Sequence, residues 1–194
     1  PGSEILIKNV GINPLRDGFL VTLGEMGANI KIMNKRQNAG ELVADIRVNY
    51  SPNLIGIEVP KQRSAKMIDE YPILSMVAAI ANGPTVMKGI KELRYKESDR
   101  INAVAKGLID SGVNVTEGED LLVVNGKSSK DIEGGSRINA SNDHRIAMSF
   151  ACLGLISKKG IKINGASSIN TSFPNFVDLM QLIGAIVIVP KRKT

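Results

Sequence analysis

Residues 94–101 read RYKESDRI, a short stretch in which charged side chains of both signs crowd together. Lys96 and Arg100 can bind an anionic ligand, and Glu97 between them can donate or accept a proton. The stretch follows an apolar segment and is predicted to begin a helix that runs to about residue 111. A solvated first helical turn would contain similar residues, so the residue types alone leave both interpretations open.

Two further charged groups begin predicted helices, Asp69 in MIDEYP (67–72) and Asp143, His144 and Arg145 in NDHR (142–145). The first turn of a helix has unpaired N–H groups and a partial positive charge, and it therefore favours anions. Aspartate is also a common capping residue. Asp69 is thus compatible with a simple cap, and His144 with a hydrogen-bonded supporting role.

A short pattern occurs three times: a helix that ends at a glycine and leads at once into a strand. Its copies are LGEMGANIKI (23–32), LIDSGVNVTE (108–117) and LMQLIGAIVIV (179–189). A strand is predicted upstream of each glycine, at 4–10, 85–90 and 160–165, and further short strands at 42–50, 120–126 and 136–140. The repeat indicates three similar units whose helix starts meet at one end. Lys96, Arg100 and Arg145 would then form a pocket for a carboxylate and a phosphate.

Apolar helices at 67–83 and 142–160 precede the second and third units, whereas the first unit has none. Helices that are apolar nearly all round are buried. We therefore predict an α/β (α+β) fold with pseudo-threefold symmetry, in which the helices are inside and the sheets outside. The segment 126–136 is expected to be a surface loop, so residues 1–194 should form a single domain. The missing helix leads us to expect that a preceding segment is absent.

Composition narrows the range of partners. The 194 residues have a net charge of +6 but no tryptophan and only 4% aromatic residues, so small anions are a better match than nucleic acid. No apolar run reaches the roughly 20 residues of a membrane span. With one histidine and one cysteine, a metal site is not expected. Cys152 lies in an apolar run, which favours a core position in a reducing, cytoplasmic compartment.

Four blocks together resemble the 5-enolpyruvylshikimate-3-phosphate synthase family, the 3-phosphoshikimate 1-carboxyvinyltransferases. They are MIDEYP (67–72), KESDR (96–100), NDHRIAM (142–148) and TSFPNFVDLMQLIGA (171–185). The resemblance covers essentially all 194 residues. It implies two domains, each of three βαβαββ units, with the active site between them. This chain would be the C-terminal portion, without the partner domain and the N-terminal segment of its own domain, and inactive alone.

The resemblance also implies the reaction and the role of each site residue. The enolpyruvyl group of phosphoenolpyruvate is transferred to the 5-hydroxyl of shikimate 3-phosphate, without metal or cofactor. Asp69 would be the base for that hydroxyl, and Glu97 the acid near the methylene carbon of phosphoenolpyruvate. Lys96 would contact shikimate 3-phosphate and assist proton transfer. Arg100 and Arg145 would hold the carboxylate or phosphate of phosphoenolpyruvate.

The last block departs from many members of the family. A lysine often stands two residues before the FP pair, where this chain has Thr171; the sequence TSFP is similar to a second bacterial class. The phosphate contact made by that lysine is therefore not expected here. Two alternatives remain at this point: UDP-N-acetylglucosamine 1-carboxyvinyltransferase, which shares the chemistry, and a non-catalytic anion-binding module.

Overall fold

The computed structural model describes residues 1–127 and 132–189. Its strands are β1 (Glu4–Gly11), β2 (Ile30–Asn38), β3 (Glu41–Asn49), β4 (Glu58–Val59), β5 (Gly83–Lys88), β6 (Asn114–Gly118), β7 (Leu121–Gly126), β8 (Arg137–Asn139) and β9 (Lys162–Asn164). Its α-helices are α1 (Gly18–Glu25), α2 (Tyr71–Ala79), α3 (Arg100–Asp110), α4 (His144–Gly154), α5 (Ile169–Ser172) and α6 (Phe176–Leu182). The predicted loop at 126–136 lies partly outside the described residues.

The described strands form three sheets, and the first two share one arrangement. β1–β3–β2 is antiparallel, and β5–β7–β6 has the same strand order. β4 adds parallel to β5, and β8 pairs parallel to β9. The order β4-α2-β5-α3-β6-β7 is therefore a complete βαβαββ unit. We call it the second unit; β1-α1-β2-β3 is the first unit, and β8-α4-β9-α5-α6 the third. The predicted repeat is confirmed.

Helices α2, α3 and α4 lie in the main hydrophobic core. Tyr71 and Leu74 of α2 and Phe150 of α4 are fully buried there. α3 approaches α4 closely at Gly107, where a Cβ atom would lie only 2.2 Å from Cζ of Phe150. In the sheet of the second unit, Met87, Leu122 and Val124 are buried on the face towards the helices, and the alternate residues are more exposed. The expectation of helices inside and sheets outside is also confirmed.

The three predicted helix-ending glycines behave alike. Gly27, Gly112 and Gly184 all have a positive φ, between 85° and 98°, a backbone conformation that ends helices. The strand predicted after the third glycine is wrong. The segment 185–189 forms no strand with any described residue, and Ile186 and Ile188 are 88% and 84% exposed. Alternation favours a strand, but a strand forms only where a partner can receive its backbone hydrogen bonds.

The helix starts are shifted from their predicted positions. Short 3₁₀ turns at Lys61–Lys66 and Ile68–Glu70 precede α2, so Asp69 lies in a turn and does not cap the helix. Pro72 stands in the first turn of α2, where its missing N–H is tolerated. α3 begins only at Arg100, with Asp99 accepting a hydrogen bond from the Asn102 backbone N–H at 3.0 Å. Lys96 and Glu97 therefore lie before the helix.

The sequence contains no apolar run as long as a membrane span. Within residues 1–127 and 132–189, no helix is long and apolar enough to cross a bilayer.

We predict that Gly107→Ala destabilises the fold by about 1–3 kcal/mol, because the added methyl group would overlap the ring of Phe150, which is fully buried and cannot move aside. Gly24→Ala in α1 is the matched control, since no atom beyond its own helix backbone and its chain neighbours lies within 4 Å of its added Cβ. Alanine should there be neutral or stabilising by up to about 1 kcal/mol. Urea unfolding of both variants measures the difference, and equal effects would contradict the close contact of α3 and α4.

Candidate functional site

The guanidinium group of Arg100 is the centre of the site. Although Arg100 is at the start of α3, its side chain is only 1% exposed. Its Nε donates to Asp143 Oδ2 at 2.8 Å, its Nη1 to Asp69 Oδ1 at 3.3 Å, and its Nη2 to Glu97 Oε2 at 2.5 Å. The three charged segments identified in the sequence therefore meet at one side chain.

Asp143 anchors Arg100 from the start of α4. Its carboxylate is fully buried, and it also accepts hydrogen bonds from the Ser98 hydroxyl at 2.9 Å and the Arg145 backbone N–H at 2.9 Å. Burial alone would raise the pKa of Asp143, but the hydrogen bond and the charge of Arg100 outweigh burial and lower this pKa below its usual value. Asp143 is therefore an ionised anchor that caps α4 and orients Arg100.

Asp69 faces guanidinium groups from all three units. Besides Arg100, its carboxylate lies 3.4 Å from Arg145 Nη2 and 3.8 Å from Arg16 Nη2. Arg145 Nη1 also donates to the Asp69 backbone oxygen at 3.3 Å. These contacts are long, and Arg145 and Arg16 are partly exposed. Both side chains can therefore offer N–H groups to an incoming anion.

The segment before α3 contributes two of the predicted residues in different ways. Glu97 contacts Arg100 and is about half exposed. Lys96 is partly exposed, but its Nζ pairs with Glu92 Oε1. The structure thus brings Asp69, Glu97, Arg100 and Arg145 together, as predicted. Lys96 is next to Glu97 in the chain, but its Nζ forms an ion pair with Glu92, an exposed acid outside this group.

Two residues of the cluster are absent from the predicted site. The sequence marks Asp143 only as a helix start, because a sequence does not show that an aspartate is buried against an arginine. Arg16 lies outside the charged segments that the sequence singles out. The repeat contains a signal for it, since Arg16 stands eleven residues before Gly27 and Arg100 twelve before Gly112. Equivalent turns of the first and second units therefore each direct an arginine to Asp69.

Thr171 stands where many members of the family that the sequence resembles have a lysine. Its hydroxyl donates to the Ser168 backbone oxygen at 2.7 Å, within its own turn. Thr171 therefore supplies a locally bonded hydroxyl where a lysine would supply a cation.

The arrangement supports anion binding together with acid–base chemistry. Guanidinium groups make paired hydrogen bonds to carboxylates and phosphates. Asp69 and Glu97 lie on two sides of Arg100 and are both accessible, so one can take a proton while the other delivers one. In the described parts of the chain, no group of three histidine, cysteine, aspartate or glutamate residues could hold a metal ion.

Comparisons with a family model and with curated relatives lead to the same family. The family model described as EPSP synthase (3-phosphoshikimate 1-carboxyvinyltransferase) matches residues 1–180. A 3-phosphoshikimate 1-carboxyvinyltransferase from Jannaschia sp. (strain CCS1) is 52% identical over 184 residues, and one from Cereibacter sphaeroides (strain ATCC 17029 / ATH 2.4.9) is 53% identical over 184 residues. Each match covers 95% of this chain but 41% of the relative. The chain therefore spans less than half the length of these relatives.

Solved structures agree in fold. EPSP synthase from Acinetobacter baumannii superposes with a TM-score of 0.94 at 40% identity, over 98% of this chain and 44% of that protein. The enolpyruvyl transferase NikO from Streptomyces tendae has a TM-score of 0.74 at 16% identity, over 97% of this chain and 41% of that one. The second likeness indicates a shared fold alone.

We predict that Asp143→Asn destabilises the chain by about 3 kcal/mol at neutral pH, because Arg100 loses the buried charge that compensates its own. Asp99→Asn is the matched control: it also changes a helix-capping aspartate, but an exposed one, and should cost less than about 1 kcal/mol. Urea unfolding of the two variants gives the comparison.

The pH dependence of the same variants tests the charge itself. The pKa of Asp143 is lowered in the folded state, so its contribution is present above the unfolded value of 3.8 and is lost as pH falls through the lower folded pKa. The stability difference between the unmodified chain and Asp143→Asn should therefore shrink at pH 3. A difference that stays constant between pH 7 and pH 3 would contradict an ionised Asp143.

Proposed function

Because the chain belongs to the EPSP synthase family, we propose that it forms one wall of the active site of a 3-phosphoshikimate 1-carboxyvinyltransferase. The observation that carries the proposal is the convergence of guanidinium groups from all three units on Asp69, with Arg100 bonded to both Asp69 and Glu97. The remaining wall would come from the part of the relatives' length that this chain does not span. We further propose that residues 1–194 form one domain of that enzyme.

The proposed substrates are shikimate 3-phosphate and phosphoenolpyruvate, two anions that repel each other. Bringing them together requires fixed cations in a partly dry cleft. Arg145 and Arg100 would hold the carboxylate or phosphate of phosphoenolpyruvate, and Lys96 would contact shikimate 3-phosphate. Lys96 would have to leave Glu92 to do so. The proposed location is the cytoplasm, because Cys152 is a free cysteine, as is usual in a reducing compartment.

In the proposed reaction, the 5-hydroxyl oxygen of shikimate 3-phosphate attacks C2 of phosphoenolpyruvate. Asp69 takes the hydroxyl proton while Glu97 delivers a proton to the methylene carbon, which becomes a methyl group. The tetrahedral intermediate then loses phosphate from C2 and one methyl proton, which restores the double bond. Arg100 is bonded to both carboxylates and would hold them at a fixed separation.

A chimera tests the proposal. It joins this chain to the part of the Jannaschia relative that the chain does not span. The chimera should release phosphate only when both substrates are present, whereas the 194-residue chain alone should release none. A chimera that unfolds cooperatively but has no turnover would contradict the proposed function. Turnover by the 194-residue chain alone would contradict the requirement for a second wall.

In the chimera, we predict that Asp69→Asn and Glu97→Gln each lower kcat by at least about 100-fold, because each removes a group that transfers a proton. Their melting temperatures should change little, since both carboxylates are partly exposed. Glu58→Gln is the matched control, because it neutralises a surface glutamate that is also paired with a cation, Lys88, at 2.7 Å. Equal loss of kcat in the control, or unfolding of the Glu97 variant, would assign these residues a structural role.

We predict that Arg145→Gln raises KM for phosphoenolpyruvate by about tenfold or more and KM for shikimate 3-phosphate by less, because a charged hydrogen bond contributes about 1.5–3 kcal/mol. Arg145 is a cleaner test than Arg100, whose removal would leave Asp143 buried without its cation. Arg137→Gln, at an exposed position on β8, is the control. Steady-state kinetics of the chimera measure both constants, and the reverse ranking would overturn the assignment of Arg145.

A further inference from the structure

Arg94 opens the charged stretch RYKESDRI, and no step of the proposed reaction uses it. Its side chain is nonetheless only 18% exposed. A guanidinium group has five N–H donors, one on Nε and two on each Nη atom. An arginine that only solvates a surface would leave most of these donors to water, whereas every nitrogen of Arg94 has as many acceptors in residues 99–119 as it has N–H groups. Arg94 is therefore built into the fold.

Four of these five hydrogen bonds attach Arg94 to the hairpin of β6 and β7. Nε donates to the Glu119 backbone oxygen at 2.9 Å, and Nη2 donates to the Gly118 backbone oxygen at 2.6 Å. Both Nη atoms lie 3.1 Å from Glu117 Oε1. The hairpin belongs to the four-stranded sheet of the second unit, so the guanidinium group is fixed to a regular, hydrogen-bonded element.

The fifth hydrogen bond joins the two ends of a short segment. Nη1 of Arg94 donates to Asp99 Oδ2 at 2.8 Å, and the other oxygen of the same carboxylate caps α3. We call residues 94–99 the closed loop. Lys96 and Glu97 lie between its joined ends. Because closing a loop reduces the number of conformations that its backbone can adopt, the pair restricts the segment that carries these two residues.

The side chains of Lys96 and Glu97 make contacts that the proposed reaction would change. Lys96 pairs with Glu92 and would have to leave it to reach shikimate 3-phosphate. Glu97 is half exposed and would deliver a proton beside Arg100. The ion pair that closes the loop takes no part in these exchanges. It can therefore keep the backbone in place while the two side chains move.

We propose that Arg94 is a positioning residue for the reaction proposed above. By joining the closed loop to the hairpin of β6 and β7, it fixes the backbone from which Lys96 and Glu97 act. Arg94 would touch neither substrate, since all its donors are already used within the chain. The inference rests on the proposed function for the roles of Lys96 and Glu97, while the closure itself rests on the hydrogen bonds.

The residues proposed to hold phosphoenolpyruvate are fixed in a different way. Arg100 is held by Asp143 at the start of α4, and Arg145 contacts Asp69 in the turn before α2. Neither contact involves Arg94. Loss of Arg94 should therefore disturb the proposed acid and the lysine that contacts shikimate 3-phosphate, and leave the binding of phosphoenolpyruvate nearly unchanged.

Kinetics of the chimera test this separation. Arg94→Gln should lower kcat by at least about tenfold and raise KM for shikimate 3-phosphate about threefold or more, with KM for phosphoenolpyruvate within about twofold of its original value. Arg36→Gln is the matched control, because Arg36 also donates to an aspartate, Asp45 at 3.1 Å, and to a backbone oxygen, that of Asn34 at 2.6 Å, but in the first sheet. An equal rise of both KM values, or an equal fall of kcat in the control, would overturn the proposal.

Asp99→Asn tests whether Arg94 acts through the closure of the loop. Asparagine can still cap α3, but it lacks the charge that pairs with Arg94. Asp99→Asn alone should lower kcat less than Arg94→Gln does, and it should lower kcat no further when added to Arg94→Gln, because the two residues act as one pair. Losses of kcat that multiply in the double variant would overturn the proposal.

Proteolysis tests the closure without turnover. A glutamate-specific protease can cut after Glu97 only when the loop opens. In the 194-residue chain, this bond should be cut at least about tenfold faster in Arg94→Gln than in the unmodified chain, and no faster in Arg36→Gln, as followed by mass spectrometry of the fragments. Unchanged cleavage would overturn the proposal, and so would an equal acceleration after Glu25 in α1, which would indicate general unfolding. Faster cleavage after Glu97 together with an inactive chimera would contradict the proposed function alone.

Discussion

The burial of one positive charge organises the functional end of this chain. Arg100 is 1% exposed, and an isolated guanidinium in such a place would be very costly. The chain compensates this charge with Asp143 from the third unit, Asp69 from the turn before α2 and Glu97 from its own segment. Each carboxylate belongs to a different element. The need to neutralise Arg100 therefore joins α3 to the start of α4 through the buried Asp143, and to the turn before α2 through the more exposed Asp69.

The same compensation determines how an anion can enter the site. The donors of Arg100 are already engaged by carboxylates of the chain, whereas those of Arg145 make only long contacts with Asp69. An incoming carboxylate or phosphate would therefore meet Arg145 first. It would approach Arg100 beside Glu97, the most exposed of the three carboxylates that contact this side chain.

The sequence predicted the parts of the fold that depend on local chemistry. Positive φ values at Gly27, Gly112 and Gly184 follow from the conformational freedom of glycine, and the repeat of strand, helix and strand follows from hydrophobic periodicity. The full βαβαββ unit was implied by the family resemblance. Features that depend on a distant partner could not be predicted. The segment 185–189 alternates like a strand but has no described neighbour to pair with. The burial of Asp143 depends on Arg100, which is 43 residues away in the chain.

The first unit reaches the site through one pair of adjacent acids. Asp69 belongs to the cluster around Arg100, and Glu70 is the next residue in the chain. Arg16 of the first unit contacts both of them, at 3.8 Å and 3.6 Å. The first unit therefore places a partly exposed cation beside the proposed catalytic base, and the charge around Asp69 depends on how that unit packs against the turn before α2.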